Sequence, residues 1–131
     1  MTTDLHMLAW VAGLTLLLWI PYILARLMTY GLVPTLAYRA DKEPLPAWAE
    51  RAKKAHSNAI ENLAPFAALV LTAQLTGTAN SATASACVVY FWARVAHYLA
   101  YLSTIPYLRT LTFAISWVAM IVIFLQIMRP T

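Results

Sequence analysis

Charge is what this sequence has least of. Only 11% of its 131 residues are Asp, Glu, Lys or Arg, while 62% are hydrophobic. A soluble domain averages about 25% charged and about 45–50% apolar residues, so the bilayer is the expected solvent. The formal charge of +4 is modest and the basic residues form no stripe, which excludes nucleic acid as a partner. The single cysteine, Cys87, sits in an apolar segment. That leaves no intrachain disulfide and no metal site built from cysteine or Cys/His clusters. The opening stretch MTTDLHMLAW lacks a basic n-region, and no small-residue cleavage site follows it. It reads as a retained first span rather than a signal peptide. No internal repeat or low-complexity tail breaks the chain, and its length permits one domain, residues 1–131.

What is present in quantity is hydrocarbon. A membrane-crossing helix needs about 20 apolar residues. Four stretches qualify as expected spans, at approximately 5–30, 57–76, 80–101 and 107–128. Gly77 and Asn80 mark a very tight turn between the second and third. Small residues crowd the start of the third span (Ala79, Ser81, Ala82, Thr83, Ala84, Ser85, Ala86), which favours close helix–helix approach. The loop 31–56 holds Arg39, Lys42, Arg51, Lys53 and Lys54, whereas the loop between spans two and three holds no basic residue. The positive-inside rule then places the long loop and Arg109 in the cytoplasm and both termini on the opposite side. Within GLVPTLAYRADKEPLPAW, Pro46 suits the first turn of a helix, so the second helix is expected to begin well before the bilayer.

The segment WAERAKKAHSNAIENLAPF carries polar groups into that helix. At 100° per residue, Arg51, Lys54, Asn58, Glu61, Asn62 and Pro65 fall within roughly a third of the circumference; Lys53 and His56 point elsewhere. Pro65 has no N–H, so the carbonyl of Glu61 loses its usual helical partner. On the third helix, Cys87, Tyr90, Arg94, His97 and Tyr101 share a face within about 80°. Charges in a membrane are costly and are paired or face a wet cavity, so an ion pair between Glu61 and Arg94 is expected. Such a pair would serve equally to lock two helices together, with Arg51 and Lys54 as interface anchors. Residue patterning leaves both readings open. The five tryptophans fit packing and membrane anchoring better than a ligand box.

The order of these residues resembles a known family, the membrane-associated proteins in eicosanoid and glutathione metabolism (MAPEG). That family's second-helix signature has an E-R pair, basic residues, then N-x-x-E and a proline four residues on. Here these positions are Glu50, Arg51, Lys54, Asn58, Glu61 and Pro65. ARVAHYLAYLSTIPYLRTL similarly resembles the family's third helix, last loop and an arginine opening the fourth helix. The resemblance implies an all-α, integral membrane four-helix bundle of left-handed up-down topology, assembled as a homotrimer. It also implies glutathione as co-substrate, bound near the cytoplasmic face between subunits.

Carried over residue by residue, the family's glutathione contacts fall on Arg51, Lys54, Asn58, Glu61, Arg94 and Tyr101, with Lys53 and His56 at further motif positions. The thiolate-stabilising arginine falls on Arg109. Arg51 and Lys54 would receive carboxylates, Glu61 the ammonium and Asn58 the peptide. Lys54 stands where the family usually has arginine and offers a point charge instead of a planar fork. The expected function is a glutathione-dependent transferase or peroxidase acting on lipophilic electrophiles. The competing expectation is a non-catalytic lipid-binding scaffold or an accessory subunit of a membrane complex. Expected partners are glutathione, a lipophilic small molecule or lipid, and membrane lipids. The expected location is a bacterial inner membrane.

Overall fold

A computed structural model describes residues 2–37 and 43–130. Arg39 and Lys42, which entered the charge asymmetry above, lie outside the described residues. Among those described, all regular structure is helical: α1 Thr3–Leu17, α2 Ile20–Tyr30, α3 Leu32–Leu36, α4 Ala47–Leu75, α5 Ser81–Ser103 and α6 Leu108–Met128.

The first expected span is one rod with a break. Residues Thr3–Tyr30 form a 28-residue apolar helix overall, interrupted at Leu18 and Trp19. Pro21 stands at the start of α2 and cannot donate to the carbonyl four residues back. Thr15 adds to the bend by donating its hydroxyl to the Val11 carbonyl at 2.8 Å. The following segment, expected as loop from residue 31, instead makes a further helical turn, α3, after Gly31 at φ +86°.

Pro46 caps α4, which runs 29 residues, about 43 Å at 1.5 Å per residue. Its buried side is a ridge: Ala49, Ala52, Ala55 and Ala59, then Phe66, Val70 and Ala73. The i+3 and i+4 spacing keeps this ridge on one face, and methyl side chains in its first half allow neighbouring backbones to close in. α4 consequently packs against α1, α2, α5 and α6. The turn after it is closed by Gly77 at φ +72°, with Thr78 N–H donating to the Ala73 carbonyl at 3.0 Å. Asn80 then caps α5 in a reciprocal box: its Oδ1 accepts from Thr83 N–H at 3.0 Å, and its own N–H donates to Thr83 Oγ1 at 2.9 Å. The Asn80 amide also donates to Gln126 Oε1 at 2.7 Å, tying this end of α5 to the end of α6.

The core gathers Val11, Phe66, Val70, Cys87, Tyr90, Met120 and Ile123 from α1, α4, α5 and α6. Phe66 and Tyr90 stack face to face with centroids 3.8 Å apart. Cys87 is fully enclosed and behaves as a small hydrophobe. All five tryptophans are exposed on the outside of the helices, as anchoring requires. Among the described residues, two helices could cross a membrane by length and mean hydropathy, Thr3–Tyr30 at 2.0 and Leu108–Met128 at 2.3. The α4 and α5 helices, expected as the two middle spans, do not reach that hydropathy. Asn58, Glu61, Asn62 and Gln74 dilute α4, and Arg94, His97, Thr83, three serines and three tyrosines dilute α5.

Candidate functional site

At one end of the molecule the first half of α4 meets the end of α5 and the start of α6. The chain between the latter two is short and tightly turned: Thr104 at φ 61° and Tyr107 at φ 69° both take the left-handed conformation. Two such residues in four reverse the chain within a few ångströms and bring Arg109 back beside Tyr101. The Arg109 guanidinium lies 5.0 Å from the centroid of the Tyr101 ring, in cation–π range. The ring of His97 meets that of Tyr101 edge-on at 5.5 Å.

Two clefts open here. The first, about 320 Å³, is lined by Arg51, Lys54, Tyr101, Tyr107 and Arg109 among others, and its walls carry no acidic residue. The second, about 450 Å³, is lined by Glu50, Lys53, Lys54, Ser57, Asn58, Glu61 and Tyr101. Lys54 and Tyr101 belong to both walls, so a purely cationic recess adjoins one of mixed charge. The Nε of Arg51 is buried without a hydrogen-bond partner.

Of the residues singled out in the sequence, Arg51, Lys54, Tyr101 and Arg109 meet on the first cleft, and Lys53, Asn58 and Glu61 line the second. Two do not join them. His56 lies on the side of α4 that faces α2, with Nδ1 3.0 Å from the Tyr22 hydroxyl. Arg94 lines neither cleft.

The expected Glu61–Arg94 ion pair is absent. Arg94 instead donates from Nη2 to Asn58 Oδ1 at 2.6 Å and from Nη1 to Ser116 Oγ at 3.4 Å, while Glu61 is exposed on the cleft wall. Glu61 lies 60° round the helix from Asn58, on the edge of the stripe turned away from α5. Depth along the axis matched, but azimuth decided the partner. Sequence reasoning also missed Ser116, which is fully buried in α6. Its signal was available: one hydroxyl in the apolar run FAISWVAM has to answer something polar.

The MAPEG family model matches residues 6–129, nearly the whole chain. No curated protein and no solved structure matches it. With two helices apolar enough to cross a membrane, this coverage points to a membrane protein with a family association to glutathione. The chain belongs to the MAPEG family.

Proposed function

We infer that the protein is a membrane-bound, glutathione-dependent transferase or peroxidase acting on lipophilic electrophiles. One observation carries this reading: Arg51, Lys54 and Arg109 converge on a cleft free of acids, beside a second cleft bearing Asn58 and Glu61. That charge layout fits glutathione, which has two carboxylates, one ammonium, peptide groups and a thiol. Arg51 and Lys54, both on the wall of the first cleft, would take carboxylates. Glu61 would take the ammonium and Asn58 a peptide group. The chemistry glutathione supplies is a thiolate nucleophile or reductant. Arg109 would stabilise negative charge on sulfur, and Tyr101 holds Arg109 in place through its ring. Lowering a thiol pKa from about 8.5 by one unit requires only about 1.4 kcal/mol, within reach of one placed arginine.

The rest of the reading follows the family. The helical rods form a four-helix bundle in a homotrimer. Glu61, inside the expected second span, is exposed on the flank of α4 in the single chain, where lipid would penalise it and a neighbouring copy would cover it. The charged end faces the cytoplasm of a bacterial inner membrane, with both termini on the other side.

A second reading, a non-catalytic lipid-binding scaffold, is favoured by one feature. Between α5 and α6 runs an apolar groove of about 550 Å³ whose lining includes Ala82, Ala86, Val89, Ala114, Ile115 and Val118. Calorimetric titration of the detergent-purified protein with glutathione, followed by conjugation assays with lipophilic electrophiles, separates the two. The enzyme reading expects binding and turnover in the wild type, and binding without turnover in Arg109→Ala. A wild type that binds no glutathione leaves the scaffold.

A further inference from the structure

Below the wall of the second cleft lies a polar network whose directionality is chemically forced. Arg94 is 4% exposed, and its guanidinium, which has no acceptor, donates to Asn58 Oδ1 and Ser116 Oγ. Ser116 in turn donates to the Phe113 carbonyl at 2.8 Å, so its hydroxyl proton is engaged and its lone pairs face Arg94. On the other side, Asn62 Nδ2 donates to the Asn58 carbonyl at 2.9 Å and to Asn58 Oδ1 at 3.3 Å. A backbone carbonyl cannot donate, which fixes the Asn62 amide; two donors then converge on Asn58 Oδ1, which fixes the Asn58 amide. The amide oxygen of Asn58 is thus held inward, and its Nδ2 is the end left for the cleft that Asn58 lines.

We propose that Arg94, anchored by Ser116, is a positioning residue. It holds the Asn58 amide so that only N–H donors face the cleft, which selects a thiol carried on a peptide, with its carbonyl acceptor, over a simple thiol. Without Arg94 only the longer 3.3 Å contact from Asn62 holds the amide oxygen inward, so the amide can turn and present its oxygen, which repels the same carbonyl. Arg94 acts through Asn58 and has almost no surface of its own to offer a ligand. This role rests on the proposed glutathione reading and specifies how that site discriminates.

The test is a double-mutant cycle on glutathione affinity with wild type, Asn58→Ala, Arg94→Gln and the double variant, measured by calorimetry. Arg94→Gln alone weakens binding about tenfold, the scale of one charge-assisted hydrogen bond. In the Asn58→Ala background the same change costs less than about twofold, because the residue it acts through is gone. The ratio of glutathione to free cysteine affinity falls with Arg94→Gln by about the same tenfold, whereas a merely structural loss would weaken both thiols alike. If Arg94→Gln does not fold, Ser116→Ala carries the same cycle with an effect of about threefold. Additive losses, or an unchanged thiol ratio, in a protein that binds glutathione overturn the positioning role alone. A wild type that does not bind glutathione overturns the proposed function and this role with it.

Discussion

The two halves of α4 share one buried ridge and nothing else. From Ala49 to Ala59 the ridge is alanine, and the flanking face carries Arg51, Lys54, Asn58 and Glu61. From Phe66 to Ala73 the ridge is bulkier, and apart from Thr72 the exposed positions there are apolar. Pro65 stands at the border, inside the helix and just after the last polar pair. The difference separates two duties. The second half holds the bundle together by packing, with Phe66 stacked on Tyr90. In the first half the fully buried contacts are alanine methyls, with His56 bonded to Tyr22 and Asn58 to Arg94 beside them, and the small ridge leaves the remaining face to charge and to two clefts.

Substitutions confined to one half test this division of duties. The largest effect is expected at Phe66→Ala, about 2–3 kcal/mol of stability read as a lower Tm in detergent. That is below the roughly 3–5 kcal/mol of water-soluble cores, because lipid is as apolar as the interior and only packing is lost. Glutathione affinity in the surviving folded fraction should stay within about twofold. Arg51→Ala reverses the pattern: about tenfold weaker glutathione binding by calorimetry, the loss of one charge-assisted contact, with Tm nearly unchanged. Lys54→Arg replaces a point charge by a bidentate fork and should tighten binding about two- to threefold. Smallest is His56→Ala, less than about twofold on affinity, since His56 bonds Tyr22 and faces away from both clefts. A large loss there would mean that the α2 side of the helix belongs to the site.

How much of this was legible beforehand follows from what each signal encodes. The 3.6-residue period grouped Arg51, Lys54, Asn58 and Glu61, and those residues do share two adjoining clefts. Pro46 and the Gly77–Asn80 turn marked the ends of α4 and α5, because a missing N–H, a positive φ and a side-chain cap are local properties. Partners across helices were less legible. Arg94 chose Asn58 over Glu61, one turn apart, because the azimuth of one helix against another is set by packing that no single segment encodes. The return of Arg109 to Tyr101 depends on two left-handed residues, Thr104 and Tyr107, neither of them glycine. Side chains of that kind give no local hint of the reversal. The α1–α2 break could have been read from Pro21, which sits too early in the span for an uninterrupted helix.

In the proposed function, Arg109 lowers the pKa of a bound thiol at this end of the molecule. A thiol whose pKa is depressed is ionised below its ordinary titration range, so the thiolate must already be present at neutral pH and disappear as the pH falls through the lowered value. Ultraviolet thiolate absorbance of glutathione bound to the purified protein, followed against pH, tests this in the wild type and in Arg109→Ala. An inflection about one unit or more below the free thiol's roughly 8.5 is expected in the wild type, moving back up in the variant. Identical inflections in the two proteins, with glutathione demonstrably bound to both, would contradict it.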